Sequence, residues 1–89
     1  MKAIVTVVGK DKKGIIAKVS NVLFENDITI VDISQTIMQD MFTMLMMVEF
    51  DGSKVAVQDI EKNLTAVADE MGLSIYVQRE EIFSSMHRI

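Results

Sequence analysis

The sequence VGKDKKGIIAKVSNVLFENDITIVDI, residues 8–33, predicts a strand end, a turn, a helix and a second strand in succession. Apolar residues recur at helical spacing from Ile15. Asp11 is the predicted N-cap, because its carboxylate can accept from the free N–H groups of a helix start. Asn26 is the predicted helix end, since asparagine tolerates the left-handed conformation that closes helices. We expect the helix start and the mouth of the next strand to lie close together, in a corner that can hold a small polar ligand.

Two stretches are apolar on both faces, which is typical of strands in the middle of a sheet: residues 2–8 and residues 42–50. The strand predicted at residues 28–38 carries more polar side chains. A short hairpin turn at residues 39–41 is expected to join it to the third strand. The polarity of the strands therefore predicts that the first and third lie inside the sheet.

The second half of the chain predicts one more helix and one more strand. Ser53 follows a break in the apolar pattern and is the predicted cap of the second helix. Gly72 is the predicted end of that helix. Apolar and polar residues then alternate from Leu73 to Gln78, which indicates a half-exposed fourth strand.

The order β-α-β-β-α-β predicts an α+β fold of the ferredoxin-like class, a four-stranded antiparallel sheet with both helices on one face. We assign residues 1–80 to this single domain. Residues 81–89 form a tail whose apolar residues are spaced as in a short C-terminal helix, docking on the domain or on a partner. They are Ile82, Phe83, Met86 and Ile89.

Composition limits the classes of function. The chain of 89 residues has a net charge of −4 and no cysteine. An acidic protein is poorly suited to neutralising phosphates, so we expect no nucleic-acid partner. No apolar run is long enough for a membrane span, and the cysteine-free sequence suggests a cytoplasmic protein. The basic residues Lys10, Lys12, Lys13 and Lys18 form either a solvated turn or a surface that favours a carboxylate-bearing ligand.

Catalytic and metal-binding groups are scarce. The sole histidine, His87, lies near the C-terminus, and there is no thiol. We therefore expect neither enzymatic activity nor a bound metal or cofactor. Gly9 to Gly14 has the glycine spacing of a P-loop, but Ile15 and Ile16 replace the lysine and hydroxyl residue that such a loop requires.

The turn GKDKKGIIAKVS and the following ENDITIVDI resemble the ACT domain family, and the resemblance covers almost the whole chain. The chain is similar to small stand-alone ACT proteins, including relatives of the glycine cleavage system repressor type. The resemblance implies a regulatory module that binds an amino acid at a subunit interface and forms a homodimer. Lys13 stands where the family usually has proline, and Thr29 where it often has asparagine.

The same resemblance implies a set of ligand-binding positions. Asp11 would face the ligand amine, Gly14 would let the ligand approach the helix start, and Ile15 would line the pocket. Thr29 would contribute from the second strand of another subunit. Asn26 completes the candidate set, although a helix stop also accounts for it.

Two functions remain open from the sequence. The first is a non-catalytic sensor of a small molecule, in which the ligand biases the geometry of a homodimer or its docking to a client protein. The second is a ligand-free interaction module that presents a Met-rich sheet face or the C-terminal helix to a client. Both involve self-association, because the second strand would otherwise leave a long, weakly charged edge open to pairing.

Overall fold

A computed structural model describes residues 1–10 and 12–81 of the chain. Its elements follow the predicted order β-α-β-β-α-β. They are β1 (Lys2–Lys10), α1 (Ile15–Glu25), β2 (Thr29–Met38), β3 (Met41–Glu49), α2 (Val57–Met71) and β4 (Leu73–Arg79).

The four strands form one antiparallel sheet in the order β2-β3-β1-β4. The prediction that β1 and β3 are central is confirmed, and so is the ferredoxin-like fold. Because β2 and β1 both run antiparallel to β3, they are parallel to each other, and α1 crosses back between them. The N-terminal end of α1 therefore lies near the end of β2, and its C-terminal end lies near the start of β2.

The core lies between the sheet and the two helices. Alternate residues of β1 and β3 face the helices, and they include Val5, Val7 and Met46, each fully buried. The helices contribute Val19 and Leu64 at the same depth. Two of the methionines near the central hairpin, Met44 and Met46, thus serve as core residues, whereas Met38 and Met41 are exposed.

The opposite side of the sheet, named here the outer face, has no helix over it among residues 1–10 and 12–81. It is formed by the intervening residues of the strands, among them Ile4, Val8, Leu45, Met47 and Tyr76. Leu45 is 38% exposed and Tyr76 is 59% exposed.

The ends of α1 differ from the prediction. Gly14 is the N-cap residue, with φ of 84°, so the helix begins too late for Asp11 to be its N-cap. Asp11 itself lies outside the described residues. Asn26 is the C-cap as predicted, but its φ is −102° and the left-handed residue is Asp27, with φ of 58°. Asn26 closes the helix with two hydrogen bonds: its backbone N–H donates to the carbonyl oxygen of Leu23 at 3.2 Å, and its Nδ2 donates to that of Val22 at 2.7 Å.

The prediction that Ser53 caps the second helix is wrong. The N-cap of α2 is Ala56, which has no side-chain oxygen to offer. Ser53 instead donates to Asp51 from both its backbone N–H, at 3.0 Å, and its hydroxyl, at 2.7 Å. These two hydrogen bonds lower the pKa of Asp51. Ser53 therefore belongs to the Asp51 turn, and α2 begins four residues later, at Val57.

Two other turn predictions are confirmed. Gly72 ends α2 in the left-handed conformation, with φ of 67°. Gln39 and Asp40 form the β2–β3 hairpin turn with positive φ at both residues, while Met41 already belongs to β3. Past β4, Glu80 and Glu81 are helical, and the predicted C-terminal helix otherwise lies in residues 82–89, outside the described part of the chain.

Candidate functional site

An open groove lies where the start of α1 meets the end of β2. We name it the α1–β2 groove. Its walls come from the turn and first residues of α1, from two alternate residues near the end of β2 and from one buried residue of β3. They are Lys12, Gly14, Ile15, Ile16, Ala17, Gln35, Ile37 and Phe42.

The start of α1 supplies hydrogen-bond donors to this groove. The first N–H groups of a helix have no partner within the helix, and the first intrahelical bond here runs from the Lys18 N–H to the Gly14 carbonyl oxygen, at 2.9 Å. Gly14 has no side chain, and the first turn of α1 carries no acidic residue. Within the described residues, the helix start is thus suited to an anionic group such as a carboxylate.

Gly14 is needed here for its backbone conformation. Its φ of 84° is one that residues with side chains rarely adopt, yet a Cβ built at Gly14 would meet no atom within 4 Å. The space beside Gly14 is therefore open, and this open side is where a ligand could approach the backbone.

Lys12 fixes the turn in place. Its Nζ donates to the main-chain oxygen of Met71 at 2.8 Å, at the C-terminal end of α2. A cation is favoured there because the carbonyl groups of a helix end carry partial negative charge. Lys18 forms an ion pair with Glu70 on the exposed surface, so two lysines of the basic cluster tie this corner to α2.

Both the helix α1 and the sheet contribute apolar side chains to the groove. Ile15 is 2% exposed and Phe42 is 3% exposed, so both form a packed floor. Ile37 is 54% exposed, because β2 is an edge strand that the helices barely cover. Gln35 adds an exposed amide on the same side of β2.

Asn26 and Thr29 lie elsewhere in the chain. Helix α1 has 11 residues, so its two ends are about 16 Å apart. The Asn26 amide is occupied, since Nδ2 bonds to Val22 and Oδ1 accepts from Asn63 Nδ2 at 3.2 Å. Thr29 is exposed at the first position of β2, opposite Glu49. Within one chain the structure therefore groups Gly14 and Ile15 and separates them from Asn26 and Thr29.

The expectation that the helix start lies near the mouth of the next strand is wrong. A crossover helix between parallel strands runs back along the sheet, so its start adjoins the end of the next strand. The sequence analysis consequently missed Gln35 and Ile37. The predicted βαβ order already contained the signal, because it places the end of β2 beside the turn that follows β1.

No group of three or more His, Cys, Asp or Glu side chains is arranged to hold a metal ion in the part of the chain that the structure describes. Likewise, no helix among the described residues is long and apolar enough to cross a membrane.

Comparison with known proteins identifies the family. The family model for the ACT domain matches residues 2–78. The chain belongs to the ACT domain family. The UPF0237 protein of Clostridium acetobutylicum is 51% identical over 89 residues, covering all of both chains. The UPF0237 protein of Methanocaldococcus jannaschii is 44% identical over 88 residues, which is 99% of this chain and 98% of that protein.

Solved structures place this ACT domain among proteins of the same fold. An ACT domain protein from Streptococcus pneumoniae superimposes with a TM-score of 0.82 at 41% identity, covering 93% of each chain. A protein assigned as a glycine cleavage system transcriptional repressor has a TM-score of 0.78 at 23% identity and shows the same fold, with this chain spanning 44% of it. The regulatory subunit of aspartate kinase from Thermus thermophilus has a TM-score of 0.69 at 26% identity, with 86% of this chain and 50% of that subunit covered. ACT domains are regulatory modules that bind small molecules, amino acids among them.

Proposed function

We propose that this ACT domain is a non-catalytic sensor that binds an amino acid in the α1–β2 groove, at the interface of a homodimer. The observation that carries the proposal is the position of this groove. It combines helix N–H groups and an edge strand that have no further partner among the described residues with the open side of Gly14 and an apolar floor.

The surface beside the groove is suited to a second copy of the chain. Strand β2 is ten residues long, and of the described strands only β3 is its neighbour. Phe24, in the last turn of α1, is 78% exposed. Exposed apolar residues at one strand edge favour pairing with another strand. Strand β2 exposes Val31, Ile33 and Ile37, and α1 exposes Ile16 and Phe24.

Pairing of two β2 strands would complete the site. In an isologous dimer the edge strands meet antiparallel about a two-fold axis, so the end of one β2 lies opposite the start of the other. The groove of one copy would then approach Thr29 and Asn26 of the other. This arrangement accounts for candidate ligand residues at opposite ends of α1, because each half of the site would come from a different copy.

The chemistry of the groove is matched to an α-amino acid. The N–H groups at the start of α1 would bind the ligand carboxylate, and Lys12 adds positive charge nearby. Three side chains offer oxygen atoms for the ligand amine: Gln35, the predicted ligand residue Asp11, and Thr29 of the other copy. Ile15 would pack against the ligand side chain. The residues named as ligand contacts stay predictions.

Thermal unfolding in the presence of each common amino acid tests the proposal. A ligand at about 100 times its Kd adds about 2.7 kcal/mol to the free energy of unfolding. For a domain of this size we expect a rise in Tm of roughly ten degrees. Gln35→Ala should reduce the rise, whereas Gln58→Ala, in an exposed position on α2, should leave it unchanged.

A ligand-free interaction module is the alternative. The outer face, which no described helix covers, and the exposed Met38 and Met41 favour it, because methionine adapts well to partner surfaces. A stable dimer whose Tm responds to no amino acid would contradict the sensor and support this second function. The cytoplasmic location stays a prediction under both.

A further inference from the structure

The outer face of the sheet holds a buried apolar residue that does not belong to the main core. Ile4 is 7% exposed, yet it lies on the side of the sheet opposite the helices and outside the cluster of buried residues that they cover. A shallow groove of about 160 Å³ opens beside it. Leu45 and Met47 line this groove together with Asp32 and Ser34.

We propose that residues 82–89 of the same chain cover the outer face. This segment carries four apolar side chains in eight residues, at positions 82, 83, 86 and 89. Its apolar side chains match Ile4, Leu45 and Met47, which the two central strands place on this face. An apolar space of about 150 Å³ holds a benzene ring, so the groove beside Ile4 is large enough for the ring of Phe83.

The segment starts in the right place and is long enough. The described chain ends at Glu81, directly after β4, which pairs with β1 at the end of the sheet that holds Ile4. The groove lies about two strand spacings away, roughly 10 Å. Eight residues span about 12 Å as a helix and up to about 28 Å when extended.

Charge favours this segment as the cover. Asp32 lines the groove, while Glu49 on the same face already has Lys2 as its cross-strand neighbour. The segment carries Arg88 and no acidic residue, so it can approach Asp32 without charge repulsion. A second copy is a poorer match, because an isologous contact would bring the Asp32 carboxylates of both copies to one interface.

A paramagnetic label on the full chain tests where the segment lies. Because the chain has no cysteine, Ser85→Cys provides a single labelling position between the apolar residues. We expect the methyl signals of Leu45 and Met47 to broaden strongly and those of Ala17 and Ala66, on the helices, to broaden little. Equal broadening of both groups, or none at all, would overturn the proposal.

Mixed samples separate the same chain from a second copy. Labelled chains without isotope enrichment are combined with enriched, unlabelled chains. We expect the methyl signals of Leu45 and Met47 to stay sharp in this sample. Broadening would assign the cover to another copy and overturn the proposal.

A stability comparison gives an independent readout. Leu45→Ser should lower Tm by about 4–8 °C in the full chain, and clearly less in a chain that ends at Glu81. Ile37→Ser, on the other face of the sheet, is the matched control and should lower Tm equally in both chains. If the shortened chain does not fold, Phe83→Ser in the full chain takes its place. Independent, additive effects of Leu45→Ser and Phe83→Ser would contradict contact between them.

Discussion

Lys12 and Met71 are 59 residues apart in the chain, and the Nζ of Lys12 donates to the main-chain oxygen of Met71 at 2.8 Å. This hydrogen bond connects the turn that precedes α1 with the last residue of α2. The turn on one side of the candidate ligand site is therefore stabilised by a residue that is distant in sequence. Because the acceptor is a carbonyl group at a helix end, the bond also neutralises part of the charge there.

Lys12→Met should lower the stability of the domain. A hydrogen bond of this kind contributes about 0.5–1.5 kcal/mol, which corresponds to a Tm lower by roughly 4–8 °C for each kcal/mol. Lys13→Met is the matched control, since Lys13 is exposed in the same turn. Urea denaturation of both variants checks the prediction, and equal losses would show that the contact with Met71 is not what stabilises the turn.

Gly14→Ala should destabilise the protein through its backbone alone. The added methyl group would meet no neighbour within 4 Å, but φ at this position is 84°. A left-handed alanine costs about 1–2 kcal/mol. Gly14→Asn should cost less, because asparagine tolerates this conformation better. Circular dichroism during thermal unfolding measures both, and a larger loss for asparagine would indicate a steric cause instead.

Ala56→Asp should stabilise the domain by about 1 kcal/mol, since it introduces a capping carboxylate at the N-cap of α2. Ser53→Ala should have a smaller effect of opposite sign, because Ser53 bonds to Asp51 on the exposed surface and not to the helix. Free energies of unfolding from guanidinium titrations compare the two. A large loss in Ser53→Ala would mean that the Asp51 turn is what starts α2.

Ile37→Lys combined with Phe24→Glu should convert the proposed dimer to a folded monomer. Both side chains are more than half exposed, Ile37 on the edge strand β2 and Phe24 on α1, and charge at these positions opposes close packing. Ala66→Lys, on the exposed side of α2, controls for the added charge. Sedimentation velocity gives the oligomeric state. A dimer that survives the double change would have to use a different surface.

The order of elements and the central strands could be predicted because they depend on local patterns. Residues flanking Val5 and Leu45 are apolar on both faces, and that pattern indicates a central strand wherever it occurs. The prediction for Ser53 was wrong because its hydroxyl hydrogen-bonds to the Asp51 carboxylate and not to the start of the helix. The walls of the groove were predicted wrongly because they depend on the direction in which α1 crosses the sheet. That direction follows from the βαβ order and not from the apolar periodicity of any one element. The contact of Lys12 with Met71 has no local signal at all.

The extra residue in β2, Val31, has a consequence for how two copies could align. It lies between the pairs Ile30–Val48 and Asp32–Met47 and interrupts the ladder with β3. A uniform edge strand would let a partner strand slide along it in steps of two residues, with little difference in energy between positions. An edge interrupted by a bulge matches a copy of itself in far fewer alignments. The bulge at Val31 would thus fix the register of the two β2 strands, and with it the distance between Gly14 of one copy and Thr29 of the other.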